Sequence, residues 1–330
     1  MENDWLSVPY AFSGKRVWVA GETGMVGAAA VRRLGCENVH LISAPRSVLD
    51  LRDGAAVHEW MAWEKPEVII LAAALVGGIL DNSQRPADFL YDNLSISMNV
   101  IHAAHLCGVE RLLSLGSSCI YPREAEVPIK ENALLSAALE PTNEGYALAK
   151  IAGVKMCEFY RKQYGRDFIS AMPCNLYGPG DHYDLTRSHV IPALLMKAHA
   201  AKSSGRPLKV WGSGRALREF LYVDDLADAL VFLLKNYNGA GPINVGSGDE
   251  VSIGELAGKI ADYAGCSGGV EFDSGRPEGV FRKVMDCSRI FSAGWRPRIS
   301  LEDGLRLAYA DYLARYQPQG HSTGAHDLAA

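Results

Sequence analysis

Lys15-Arg16-Val17-Trp18-Val19-Ala20-Gly21-Glu22-Thr23-Gly24-Met25-Val26-Gly27 decides the fold of this chain. Lys15 to Ala20 reads as a short buried strand. Gly21, Gly24 and Gly27 form the turn after it, and a helix runs through Ala28 to Leu34. Glycines in such a turn permit a tight reversal, close approach of a pyrophosphate and close packing of the helix. The helix N-terminus then offers N–H groups and a favourable dipole to an anion. The plainer reading is an ordinary strand-to-helix turn. The strand before it and its early place in the chain favour a dinucleotide site.

Val39 to Ile42, Val68 to Ala73, Arg111 to Leu115 and Phe168 to Met172 read as four more strands. Helical stretches alternate with them, notably Pro86 to Cys107 and Gly145 to Tyr164. This rhythm predicts an α/β fold built on a Rossmann-type doubly wound parallel sheet. After Tyr177-Gly178-Pro179-Gly180 the segments shorten and mix, yet Asp224 to Leu234 still reads as a helix of the first domain. The expected organisation is a dinucleotide-binding domain over 1–180 with a returning segment near 215–245. A smaller mixed α/β substrate domain then covers 181–330. The polar tail, Pro318 to Ala330, is expected to fray.

The composition is globular, with 330 residues, 48% hydrophobic and 22% charged. A formal charge of -5 argues against a nucleic-acid surface. The acidic start Met1-Glu2-Asn3-Asp4 lacks the design of a signal peptide. The longest apolar run, Val68 to Val76, is too short to span a bilayer, so no membrane partner is expected. Seven cysteines show no metal-site spacing. They read as reduced thiols of a cytoplasmic protein, with no metal.

Two segments carry the chemistry: Gly116-Ser117-Ser118-Cys119-Ile120-Tyr121-Pro122 and Tyr146-Ala147-Leu148-Ala149-Lys150. On a helix, Tyr146 and Lys150 share one face. A phenol with a pKa near 10 is lowered by a neighbouring ammonium, and the Ser117 hydroxyl can hold a carbonyl oxygen beside it. The set moves a proton at an alcohol oxygen while a hydride moves at its carbon. The residue after the second strand selects the dinucleotide. Ile42-Ser43-Ala44-Pro45-Arg46-Ser47 offers no acid for a ribose 2′-OH, and Arg46 suits a 2′-phosphate, which favours NADP(H). The alternative is a solvated surface arginine. Asp50 and Leu51 lie where an adenine-contacting loop belongs. Ala72 and Ala73 leave room for a cofactor backbone.

These motifs resemble the extended short-chain dehydrogenase/reductase superfamily. The chain is closer still to the GDP-L-fucose synthase family of GDP-4-keto-6-deoxymannose 3,5-epimerase/4-reductases, over about residues 14 to 315. The likeness is carried by Gly24-Met25-Val26-Gly27, Val76-Gly77-Gly78-Ile79, Pro86-Ala87-Asp88-Phe89, Asn175-Leu176-Tyr177-Gly178-Pro179, Ser188-His189-Val190-Ile191-Pro192 and Arg218-Glu219-Phe220-Leu221. The resemblance implies Ser117, Tyr146 and Lys150 as the reductase triad and Cys119 with His189 as the epimerase acid/base pair. It implies Met25, Val26, Asn175 and Leu176 as further cofactor contacts. Asn175, His189, Lys197, Trp211, Arg218 and Lys283 lie on its substrate side. Arg218 and Lys283 are candidates for a diphosphate, and Trp211 for a base or ribose. A GDP-sugar substrate and a homodimer through the first domain's helices also follow from the resemblance.

The chemistry agrees with these roles. A ketone at C4 acidifies the protons at C3 and C5, and inversion needs a base on one face and an acid on the other. Cys and His can both be tuned to titrate near neutral pH. Ser188 reads as the cap of a helix containing Pro192, whose N-terminus disfavours an imidazolium. Cys119 is favoured as the base, since positive charge near Lys150 and a nicotinamide would favour its thiolate. A neutral His189 acting first is the alternative. The family often has a basic residue where this chain has Thr23, and an arginine where it has Lys197. Rival readings are a sister enzyme acting on a related 4-keto GDP-sugar of the colitose type, an NAD-dependent 4-epimerase or dehydratase, and a non-enzymatic NADP sensor.

Overall fold

The computed structural model describes residues 9–184, 188–275 and 280–316. The tail 318–330 lies outside them. In chain order the elements are β1 (Arg16–Ala20), α1 (Met25–Leu34), β2 (His40–Ile42), α2 (Gly54–Glu64), β3 (Val68–Leu71), α3 (Ile79–Gln84), α4 (Pro86–Leu106) and β4 (Arg111–Leu115). Next come α5 (Glu144–Tyr164), β5 (Asp167–Pro173), β6 (Asn175–Tyr177), α6 (Val190–Ser204), β7 (Leu208–Trp211), β8 (Leu217–Tyr222) and α7 (Val223–Asn236). The remainder are β9 (Ile243–Val245), β10 (Glu250–Ser252), α8 (Ile253–Ala264), β11 (Val270–Asp273), β12 (Arg282–Lys283), α9 (Ser288–Ser292) and α10 (Leu301–Tyr316).

The large sheet is parallel throughout, in the order β2-β1-β3-β4-β5-β9. Val17 and Val19 pack with α7 residues such as Leu226 and Leu230, while Trp18 and Ala20 pack with Val57, Met61 and Ile101 of α2 and α4. Both faces are buried, so these strands read as continuous apolar runs. The chain leaves β1 to one side for β2 and crosses to the other for β3. That reversal opens a crevice at the C-terminal ends of β1 and β3, where ligands of such sheets bind. Helix α7 and strand β9 return to this sheet after the chain has built β6 to β8.

A second sheet runs β10-β8-β12, with β6 also pairing β8, and β11 pairs β7 separately. Behind them Leu194, Leu195, Leu256, Ile260 and Leu305 of α6, α8 and α10 form their own core. Buried Glu219 of β8 ties the parts together, accepting from Gly248 N at 2.9 Å and Met285 N at 3.0 Å.

Two features differ from the sequence reading. The third strand stops at Leu71 rather than Ala73, although Ala72 N still bonds to Ala20 O at 2.9 Å. Helix α2 is an addition, hidden in an alanine-rich, weakly periodic sequence. Asp53 caps it by accepting from Ala55 N and Ala56 N.

Candidate active site

The turn after β1 has no room for side chains. Gly21 sits at φ +96°, and a Cβ there would lie 2.7 Å from the backbone of Ala73. At Gly27 a Cβ would come within 2.0 Å of Gly21 O. Glycine is therefore required at both positions. Gly24 precedes α1, whose N-terminus has no side-chain cap and no acid in its first turn, so its dipole is left to face an anion. The Tyr177–Gly180 turn closes the other side; a Cβ on Gly180 would stand 3.5 Å from Met25 Cα. Met25 and Val26 are half-buried against Ala29 and Val223.

At the end of β2 a carboxylate arrives from an unforeseen place. Glu22 of the glycine turn accepts from Ser43 Oγ at 2.6 Å. Arg46 is exposed. Asp50 is held by Arg52 at 2.7 and 3.0 Å, and that hydrogen-bonded partner draws its pKa down to about 2. Leu51 O accepts from Asn99 Nδ2 at 3.0 Å.

Four of the catalytic candidates, Ser117, Cys119, Tyr146 and Lys150, meet beyond the end of β4. Gly116 lies so close to β5 that a Cβ would fall 2.3 Å from Met172 Sδ. Ser117 caps the single turn Ser118–Ile120, its hydroxyl accepting from Cys119 N at 3.2 Å. Across from it α5 presents Tyr146 and, one turn on, Lys150. Lys150 is buried and donates to Leu115 O at 3.0 Å. Its Nζ lies 5.8 Å from the Tyr146 ring centroid. Phe89 meets that ring edge-on at 6.4 Å.

Burial sets the protonation states here, which corrects one expectation. Spacing alone predicts that the ammonium pulls the Tyr146 phenol down. Desolvation instead pushes the phenol well above its ordinary value; negative charge at Cys119 adds to this, and a hydrogen bond with Ser117 opposes it. Lys150 spends its hydrogen bond on Leu115 O, and burial lowers its own pKa to about 8. Tyr146 is thus held as the protonated acid.

Several substrate-side candidates also come together. Lys283 Nζ donates to Cys119 Sγ at 3.8 Å. Lys283 pairs in parallel register with Arg218 of β8, whose Nη1 reaches Leu217 O at 2.8 Å. Lys197 Nζ stands 4.7 Å over the half-exposed Trp211 ring. Asn175 uses its amide differently, donating to Glu219 O at 2.9 Å, while Leu176 packs against the core. His189 itself occupies the cap position of α6. Ser188 is not the cap, because its hydroxyl binds His182 O and Asp184 N at 2.6 Å each. The His189 residue is open to solvent but set deep among protein atoms, and this desolvation lowers its imidazole pKa.

Sequence reading passes over two further residues. Asn93 donates to Leu75 O and accepts from Leu75 N, and Asn82 donates to Gly77 O and Gly78 O. They fix the loop after β3 beside Phe89. Two cavities of about 370 Å³ lie elsewhere, one beside Arg33 and Trp295 and one between α2, α4 and α5.

Residues 17–246 match the NAD dependent epimerase/dehydratase family. A GDP-L-fucose synthase of Sinorhizobium fredii is 53% identical over 306 residues, spanning 92% of this chain and 98% of the relative. A GDP-L-colitose synthase of Yersinia pseudotuberculosis is 36% identical, spanning 88% and 95%. The crystal structure of a GDP-L-fucose synthetase from Naegleria fowleri bound to NADP superposes with a TM-score of 0.87 at 27% identity, covering 95% of this chain and 98% of that one.

The His189 environment gives a pH prediction. Its depressed pKa makes the neutral ring the native form, so protonation works against the folded state as pH falls. The imidazole resonance of His189 should titrate below the free value of about 6.5. A midpoint at or above that value contradicts the desolvated placement.

Proposed function

The chain belongs to the NAD dependent epimerase/dehydratase family, and from that premise we propose that it converts GDP-4-dehydro-6-deoxy-D-mannose to GDP-L-fucose as an NADPH-dependent 3,5-epimerase/4-reductase. The observation that carries this reading is the convergence of Ser117, Cys119, Tyr146 and Lys283 around one point at the end of β4, in a chain 53% identical to a GDP-L-fucose synthase. The relative named for colitose stands further off at 36%.

The cofactor is assigned to the turn after β1, where Gly21 and Gly27 let the backbone close so tightly that a Cβ would strike Ala73 or Gly21 O. Gly24, Met25 and Val26 at the start of α1 are placed for its pyrophosphate, and Ala72 and Ala73 flank it. Arg46 is our candidate for the 2′-phosphate, with Asp50 and Leu51 near the adenine. Lys150 is assigned to the nicotinamide ribose. NADPH, when bound, supplies hydride to C4. Tyr146 gives its proton to the C4 oxygen, which Ser117 orients. Cys119 and His189 exchange protons at C3 and C5 from opposite faces of the sugar, where the ketone makes those protons acidic. Arg218 neutralises diphosphate charge, and Lys197 and Trp211 form a platform for the nucleoside.

The functional division we infer is a nucleotide half over 1–180 with a returning segment, and a substrate half beyond it. The seven cysteines are free thiols, which suits a reducing cytoplasm. Among the described residues no helix is long and apolar enough to cross a membrane. A homodimer through α4 and α5 is our reading of their outer faces. Tyr91, Met98 and Leu106 of α4, with Leu148 and Phe159 of α5, are exposed apolar side chains at helical spacing.

Each assignment can be tested by substitution. Tyr146→Phe should lose reduction about a hundredfold, the scale for a positioned acid, yet still exchange substrate protons with solvent deuterium. Cys119→Ser and His189→Asn should lose that exchange while binding NADPH. Full GDP-L-fucose formation by both of the latter variants rules out the epimerase assignment. Arg46→Ala should weaken NADPH more than NADH in binding titrations, and equal weakening removes Arg46 from the phosphate site. Phe159→Glu should sediment as a monomer if α5 lies in the dimer interface, and an unchanged dimer places that interface elsewhere.

A further inference from the structure

The family resemblance puts Lys283 on the substrate side with Arg218, yet its ammonium reaches the sulfur of Cys119. It comes from β12, a strand of two residues hydrogen-bonded to β8, and its Nζ donates to Cys119 Sγ at 3.8 Å. Cys119 has little freedom to move away. Its backbone N–H is held by Ser117 Oγ, and the turn carrying it is anchored by buried Ser118 and Ile120.

We propose that Lys283 is a positioning residue whose ammonium is the counter-ion of the Cys119 thiolate when that residue takes a proton from the sugar. The proposal rests on the epimerase reading above. Lys150 of α5 instead donates to Leu115 O, and its burial works against its charge. Tyr146, also on α5, faces Cys119, and it is an acid rather than a cation. Arg218, beside Lys283 on β8, adds positive charge at one further remove.

The arrangement divides labour between neighbouring cations. Arg218 serves the diphosphate, while Lys283 serves the sulfur. In the step itself the proton leaves the sugar carbon for Sγ, and the electron pair passes through the ring to the C4 oxygen. Tyr146 and Ser117 meet the charge there by hydrogen bonding.

The test needs neither substrate nor cofactor. The rate at which iodoacetamide alkylates Cys119 is followed by mass spectrometry of its peptide across pH, in wild type, Lys283→Met and Lys283→Arg. An opposite charge at this distance favours the charged form of its partner. The alkylation profile should therefore move to higher pH in Lys283→Met and return most of the way in Lys283→Arg, which also shows that the site remains folded. A midpoint unchanged in Lys283→Met overturns the proposal. A second arm follows C3/C5 deuterium exchange on the 4-keto GDP-sugar. The proposal predicts a fall in kcat with an upward-shifted pH profile. A rise in KM alone assigns Lys283 to the diphosphate and also overturns it. If wild type exchanges no deuterium, the epimerase reading fails on its own, while the alkylation profile still reports on Lys283 and Cys119.

Discussion

The candidate site depends on how closely α5 is pressed against the C-terminal end of β4. Lys150 reaches from α5 to Leu115 O at 3.0 Å. A buried ammonium is costly unless it is hydrogen-bonded, so this contact fixes the helix in rotation as well as in distance. On the far side α5 is closed in by α4. A Cβ at Gly145 would lie 2.5 Å from Pro86 O, and one at Gly153 would lie 3.2 Å from Ser97 Oγ. Gly116 removes the last side chain between the end of β4 and β5. These close approaches put Tyr146 over Ser117 and Cys119 with little slack.

Such compactness has an electrostatic consequence. Burial raises the Tyr146 phenol and lowers the Lys150 ammonium and the His189 imidazole. All three are driven toward their neutral forms. A protonated phenol is the form that can donate to a C4 oxygen, and a neutral imidazole is the form that can accept a proton. Lys283 brings positive charge directly to the sulfur. Ser117 and Cys119 thus share one short turn, Ser117 to Ile120, and Tyr146 faces both from α5.

Much of this is legible in the sequence because it is local. The strand and glycine turn from Lys15 to Gly27, the apolar runs of β3 to β5 and the one-turn spacing of Tyr146 and Lys150 are all encoded within a few residues. The parts that escape are long-range. Lys283 and Cys119 are brought together by a two-residue strand whose register with β8 no local pattern announces. Glu22 meets Ser43 only because the turn after β1 folds over the end of β2. Ser188 has the composition of a helix cap, but the preceding loop claims its hydroxyl at Asp184 and His182. The expected lowering of the Tyr146 phenol fails because spacing shows proximity to Lys150, whereas burial is a property of the whole fold.

The central claim is that one enclosed site inverts two carbons and then reduces a third. The direct measurement is to supply the wild-type protein with GDP-4-dehydro-6-deoxy-D-mannose and NADPH in deuterated water and to identify the product by NMR. The account predicts GDP-L-fucose with solvent deuterium at both C3 and C5. A 6-deoxy sugar that retains the D configuration and carries no deuterium at either carbon would contradict it.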